Sequence, residues 1–166
     1  MNATYIHLLL NHFPIIGSLI GSALLFWGII RKQQAVQSAA LILIIIMAAL
    51  AIPVFLTGEP AEESVEKLPG VSESMMEMHE EAAEIAMILL SITGVLALVS
   101  LIAYSIKSRY YKFLLYVTFS ASIIGAAAMA RTGYYGGRIR HSEIVTTGSG
   151  TNGNIETNIN QEDYDD

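Results

Sequence analysis

Four long apolar runs, separated by polar links, are the feature that most limits how this chain can fold. We place them at residues 6–30, 37–56, 82–106 and 113–130. A helix of about 20 residues crosses a hydrocarbon core of about 30 Å. Of the 166 residues, 53% are hydrophobic and only 14% are charged, which is unusual for a soluble domain. The sequence therefore predicts an all-α, integral membrane four-helix bundle.

Basic residues in two short links predict how the bundle is oriented. Arg31 and Lys32 separate the first two runs, and three basic residues separate the last two, with no acid in either link. By the positive-inside rule both links face the cytoplasm. We therefore expect the N-terminus, the connection 57–81 and the C-terminus on the outer side. The first run is too long for the apolar region of a cleaved signal peptide, so we expect it to stay as a span.

The connection between the second and third runs is strongly acidic. Nine glutamates and a single lysine, Lys67, occur between Glu59 and Glu84. One interpretation is a solvated outer loop. The other is that segment 59–84 attracts a cationic soluble partner, which in an electron-transfer setting would be a periplasmic electron carrier.

The four histidines all fall at the predicted outer ends of their segments: His7, His12, His79 and His141. A single interfacial histidine is typical of a polar group in the headgroup region. Four of them, from three segments, favour a bound centre. His7 and His12 are five positions apart, about 140° around a helix and about 7.5 Å along it, so they would not share one small ion such as zinc.

A haem suits the histidine spacing better than zinc does. Cysteine is absent, which excludes disulfides, iron–sulfur clusters and covalent c-type haem within this chain. A b-type haem needs only one imidazole from each of two facing helices. We predict that His12 and His79 ligate a haem, and that His7 and His141 ligate a second haem or hydrogen-bond the first. Pro14 removes a main-chain bond to Leu10 and would kink the first helix beside this site.

Arginines near the last histidine lie on the predicted outer side, where the positive-inside rule expects few basic residues. Arg138 and Arg140 flank Ile139, and we predict that they bind haem propionates. Contact with phospholipid headgroups is an equal alternative. The glycines of "ARTGYYGGRIRHSEI" predict a tight turn that leads from the fourth helix to His141.

All candidate ligands lie at one depth, whereas carrying electrons across a bilayer needs centres at two depths. We therefore expect an electron carrier, rather than an enzyme with its own substrate, that exchanges electrons near the outer surface with a quinone or another protein. No nucleophile–base pair, phosphate loop or hydrolytic acid pair is evident. We expect no nucleic-acid partner.

Two stretches resemble a known family. "HLLLNHFPII" at residues 7–16 and "GGRIRHSEI" at 136–144 are similar to a bacterial four-helix membrane family of unknown function. Its members begin with an H-P-x-x-x-H-F-P helix and close with two glycines followed by a histidine. The resemblance covers residues 5–144. Leu8 and Ser142 depart from the pattern, which usually has proline and glycine at these positions.

The resemblance implies one or two haems b, in a respiratory or electron-transfer complex of the bacterial inner membrane. It puts the same four histidines in the ligand set: His7, His12, His79 and His141. On this interpretation residues 1–144 are a transmembrane haem-binding domain with its termini in the periplasm. Residues 145–166 are a polar, acidic tail with a composition typical of disorder, and we expect it to contact other membrane subunits.

Two alternatives stay open. One is an outward-facing copper-binding membrane protein, since thioether and imidazole ligands suit Cu(I); its ligands would be Met75, Met76, Met78 and His79. Core packing is the simpler explanation for these methionines. The other alternative is a structural subunit without a cofactor, whose histidines only make hydrogen bonds.

Overall fold

The computed structural model describes residues 3–66, 68 and 70–139, and most of these residues are helical. No strand occurs among these residues, which confirms the all-α prediction. The helices are α1 (Ala3–Leu10), α2 (His12–Ile30), α3 (Gln34–Leu56), α4 (Gly58–Val65), α5 (Glu73–Ser105) and α6 (Tyr111–Arg138).

Four helical segments are long and apolar enough to cross a membrane, as predicted. They are α1 and α2 taken together, α3, α5 and α6. Large apolar side chains cover their outer surfaces, including Trp27, Ile92 and Phe113, which are half exposed or more. An apolar surface of this extent is typical of contact with lipid.

The last two helices extend beyond the apolar runs that mark their spans. Helix α5 begins at Glu73, before the run at 82–106, and α6 continues to Arg138 rather than ending at residue 130. The prediction of a tight turn at the glycines is wrong within the described residues, since Gly133, Gly136 and Gly137 lie inside α6. A glycine costs a helix only about 1 kcal/mol, and helical hydrogen bonds satisfy the backbone in an apolar medium.

Proline and small residues shape the first span. The helix is interrupted at Asn11, three residues before the fully buried Pro14, which has no N–H to donate to the Leu10 carbonyl. Farther along, Gly17 and Gly21 let α3 approach. A Cβ on Gly21 would lie 2.9 Å from Cγ1 of Ile44. These small residues therefore form a face of α2 that packs closely against α3.

The four long helices form a ring in the order α2, α3, α5, α6, and α6 closes the ring against α2. Helix α1 packs against α3 and α4. Hydroxyl groups join the helices inside the ring. Oγ of Ser100 lies 2.9 Å from Oγ1 of Thr118, and Ser22 donates to the Ser122 carbonyl over 3.1 Å. Such bonds are typical of packing between membrane helices.

The ring has two ends of different chemistry. We call one the histidine end; it comprises α1, α4, the first turns of α5 and the last turns of α6. At this end the Ser72 N–H donates to the Ile139 carbonyl over 3.0 Å. We call the other the basic end; it comprises the links 31–33 and 106–110 and the helix ends that these links join. There the Tyr111 hydroxyl donates to Oε1 of Gln37 over 2.8 Å.

The acidic connection is not a plain loop. It contains α4, which the sequence analysis did not predict. Pro60 lies in the first turn, where a missing N–H costs no helical bond, and Ala61 is buried against the bundle. The connection thus presents its glutamates from a helix that packs on α1.

Candidate functional site

His7 occupies a junction of three helices at the histidine end. Its Nδ1 lies 3.0 Å from the carbonyl oxygen of Val54 in α3. Gly58, the first residue of α4, lies beside the ring, so that a Cβ there would be 3.7 Å from Cε1 of His7. Since a carbonyl oxygen only accepts, Nδ1 carries the hydrogen and donates it. Nε2 of the neutral ring then holds a free lone pair.

His79 repeats this arrangement between α5 and α6. Its Nδ1 donates to the carbonyl oxygen of Thr132 over 2.9 Å. The ring lies directly on Gly136, where a Cβ would be 2.9 Å from Cε1 and 3.0 Å from Nδ1 of His79. A side chain of any size at position 136 would therefore displace the imidazole. Gly136 was missed as a site residue because the sequence analysis assigned it to a turn.

The two imidazoles lie at the same end of the bundle, His7 between α1, α3 and α4 and His79 between α5 and α6. Among the described residues no group of three or more His, Cys, Asp or Glu side chains is placed to hold a metal ion. The described part therefore offers a pair of imidazoles from two helices rather than a closed site for a small ion.

His12 begins α2, on the far side of the break at Asn11, and its side chain is exposed. Its pairing with His79 stays a prediction. His141 and Arg140 lie outside the described residues. Arg138 donates to the hydroxyl of Tyr134 and lies over its ring, 5.1 Å from the centroid. The role of Arg138 and Arg140 toward propionates stays a prediction as well.

Two buried oxygens beside His7 have no hydrogen-bond partner in the described part of the chain. They are Oγ1 of Thr4 and Oδ1 of Asn11. Asn11 follows the end of α1, and its N–H donates to the His7 carbonyl over 2.9 Å. Thr4, His7 and Asn11 are spaced by three and four residues, so they share one helix face. Buried polar groups are nearly always hydrogen-bonded. These two oxygens are therefore able to form hydrogen bonds that the described residues do not supply.

An acidic cleft opens at the same end of the bundle. It has a volume of about 440 Å³ and lies between α4 and the first turns of α5. Burial raises the pKa of Glu62, and the negative charges of Glu80, Glu66 and Glu59 raise it further. We define the acidic cleft by the glutamates that line it: Glu59, Glu62, Glu63, Glu66, Glu73, Glu77 and Glu80.

The methionines considered for copper do not converge. Met76 is buried and lines the acidic cleft, whereas Met78 is 41% exposed. Two positions along a helix correspond to about 200° of rotation, so these two thioethers point in nearly opposite directions. A single Cu(I) site cannot use both of them.

Comparisons of this chain with protein-family models, with curated proteins and with solved structures found no match. The arguments for function therefore come from the chemistry of the histidine end.

Proposed function

We propose that this protein is a membrane subunit similar to b-type cytochromes, which transfers electrons at the histidine end of the bundle as part of a larger electron-transfer complex. One observation carries the proposal. Two histidines from different helices, His7 and His79, each donate Nδ1–H to a main-chain carbonyl at the same end of the bundle. Histidines that ligate metals almost always have such a bond at the other ring nitrogen.

The chemistry of the donors fits a haem. The two bonds fix the tautomer, so that Nε2 of each ring is the nitrogen free to ligate iron. Bis-histidine ligation needs only two such nitrogens, which agrees with a site that has no third ligand among the described residues. The orphaned oxygens of Thr4 and Asn11 offer further hydrogen bonds beside His7.

We assign the ligand set to His7, His12, His79 and His141, with Arg138 and Arg140 toward the propionates. When bound, a haem supplies one-electron transfer. The contribution of the protein is to hold the imidazoles in one orientation: Val54 and Thr132 accept from them, and Gly136 leaves room for the His79 ring.

We propose further that the histidine end faces the periplasm of a bacterial inner membrane. The basic links would then lie in the cytoplasm. The acidic cleft would attract a cationic electron carrier to the same end. Its glutamates come from two helices and surround a single opening. Charges gathered in this way support a docking role better than charges scattered over the surface.

A structural role is the second candidate, and the same bonds favour it. His7 joins α1 to α3, and His79 joins α5 to α6. In this case both imidazoles would serve only as hydrogen-bond donors, and the protein would be a helical subunit without a cofactor.

Glutamine substitution separates the two candidates. Glutamine has an amide N–H for the carbonyl of Val54 or Thr132 but does not ligate haem iron. We therefore compare His7→Gln, His12→Gln and His79→Gln with the natural protein, all purified in detergent from membranes. The measurement is the oxidised and dithionite-reduced absorption spectrum, with pyridine haemochrome quantification per chain.

The natural protein is expected to contain one or two haems b per chain. In each ligand variant, the absorbance of the affected haem is expected to fall by a factor of at least about ten. Glu81→Gln is the control, since Glu81 is exposed and lies two positions from His79. A flat visible spectrum from native, haem-supplemented material would contradict the proposal, as would unchanged spectra in His7→Gln and His79→Gln.

A further inference from the structure

The two links of the basic end share an unusual backbone conformation. Lys32 and Lys107 have φ angles of 53° and 52°, and they are the non-glycine residues with positive φ in the described part of the chain. Each follows the end of a long helix. This left-handed conformation is unfavourable for a residue with a Cβ, and glycine is the usual choice.

Both lysines occupy the same position of the same capping motif. Lys32 donates to the Ile29 carbonyl and the next residue, Gln33, to that of Gly28. At the second link Lys107 donates to the Tyr104 carbonyl, and Ser108 to that of Ala103. These are the two bonds of a Schellman motif, in which glycine normally follows the helix cap. The chain thus accepts a conformational cost twice and places an ammonium group at each turn.

A pocket of about 490 Å³ lies beside one of these lysines. It is formed where α3 begins, α5 ends and α6 begins. Neither link contains an acid, and no acidic residue precedes Glu59 or lies between Glu84 and the end of α6. The polar groups of its lining are Gln34, Tyr104, Ser105, Lys107, Ser108 and Tyr111.

The pocket offers donors for an oxyanion. Lys107 contributes an ammonium group. Oγ of Ser108 accepts from the Tyr110 N–H over 3.3 Å, so its O–H is left to donate. Oε1 of Gln34 accepts from the Tyr104 hydroxyl over 3.2 Å, so the N–H groups of the Gln34 amide are left to donate. A cation with neutral donors and no carboxylate is chemistry that suits a phosphate.

The position of the pocket indicates where that phosphate comes from. The pocket lies at the ends of helices that are apolar enough to span a membrane. Large apolar side chains next to its lining are exposed, namely Ile102, Ile106 and Phe113, and they offer contacts for acyl chains. Basic pockets between the ends of membrane helices are typical sites for anionic headgroups.

We propose that this pocket binds the phosphate of an anionic phospholipid headgroup, with Lys107 as the charged contact. The proposal is independent of haem, because every group in it belongs to the basic end. Its ligand could also be free inorganic phosphate, and the experiment separates the two sources.

The test uses two glycine variants. Lys107→Gly removes the ammonium group of the pocket, and Lys32→Gly removes an equal charge from the other link. Glycine relieves the left-handed conformation at both positions, so both variants should fold at least as well as the natural chain. The full-length protein in detergent is mixed with equal amounts of phosphatidylglycerol and phosphatidylcholine, and single-lipid adducts are counted by native mass spectrometry.

We expect the natural protein and Lys32→Gly to retain phosphatidylglycerol about fivefold over phosphatidylcholine, and Lys107→Gly to lose this preference. Equal retention of both lipids by the natural protein would overturn the proposal, as would full preference in Lys107→Gly. Complete displacement of phosphatidylglycerol by an equal concentration of inorganic phosphate would also overturn it, because the site would then take the free anion.

Discussion

The histidine end and the basic end stabilise the same bundle by different means. At the basic end one side chain uses both of its polar atoms: Gln37 accepts from the Tyr111 hydroxyl through Oε1 and donates through Nε2 to the Gly28 carbonyl over 2.9 Å. At the histidine end the imidazoles of His7 and His79 donate to main-chain carbonyls. Each imidazole uses only Nδ1 in these bonds, and Nε2 has no hydrogen bond within the described part of the chain.

The two ends also differ in charge. The described glutamates all belong to the histidine end, between Glu59 and Glu84, and the basic links contain none. Opposite charges at the two ends favour opposite partners, cations at one and anionic lipid at the other. Each end can be altered without touching the other, because the apolar middle of the bundle separates them.

The largest effect is expected from Gly136→Ala. The new methyl group would lie 2.9 Å from the His79 ring, so the imidazole must move away from Thr132. We expect the free energy of unfolding to fall by about 2 kcal/mol, measured by thermal or denaturant unfolding in detergent. Any haem absorbance that depends on His79 should fall with it.

Gly137→Ala is the matched control for this change. No atom of the described residues lies within 4 Å of a Cβ at position 137, and alanine is the better helix former, so the control should gain up to about 1 kcal/mol. The difference between the two variants isolates the contact with His79. Equal stability of the two variants would show that the ring does not depend on this glycine.

Sequence reasoning predicted the spans well because their signal is strong. Apolar runs of some 20 residues can be satisfied only by helices that cross the membrane, and the break before Pro14 follows from the missing N–H of a single residue. The end of α6 was placed too near the bilayer because the prediction stopped where the apolar run stopped. Helical hydrogen bonding continues beyond that run through the glycines of α6, as it does through the glutamates at the start of α5.

The candidate site was less accessible to the sequence. That His7 and His79 are interfacial could be predicted, but their acceptors could not, because the acceptors are backbone carbonyls of Val54 and Thr132. Any residue type provides a carbonyl, so nothing in the sequence marks these positions. Gly136 carried a signal, the glycine pair, yet a glycine that permits a turn and one that admits a neighbouring ring look alike in a single sequence.

A smaller effect is expected at the basic end, from Tyr111→Phe. Removing the hydroxyl leaves Oε1 of the buried Gln37 without its donor, which should lower the free energy of unfolding by about 1 kcal/mol. Tyr104→Phe removes the same group from the exposed pair with Gln34, where water can replace it, so the expected change is near zero. Equal losses in the two variants would show that burial of Gln37 contributes nothing.

The smallest effect concerns Glu62 in the acidic cleft, where burial, and then the charges of Glu80, Glu66 and Glu59, raise the pKa above the ordinary value of 4.5. A raised pKa in the folded state means that stability from this group is complete below about pH 4.5 and is lost as the pH rises through the folded pKa. Glu62→Gln should therefore raise the melting temperature at pH 7 to 8 by at most about 2 °C, since solvent screens the site.

This gain should shrink toward zero as the pH is lowered to about 4.5, because the natural carboxyl is then protonated and resembles the amide. Glu63→Gln provides the comparison, since Glu63 lies on the same helix but is exposed and loses its charge without relief from burial. Melting curves measured across this pH range would contradict the argument if the gain from Glu62→Gln were constant with pH. They would support it if the two variants diverged as the pH rose above about 4.5. A pH-dependent gain at position 62 alone would also show that the cleft concentrates negative charge, rather than being a surface on which each glutamate is separately solvated. Only a cleft that concentrates charge would attract a cationic partner at long range.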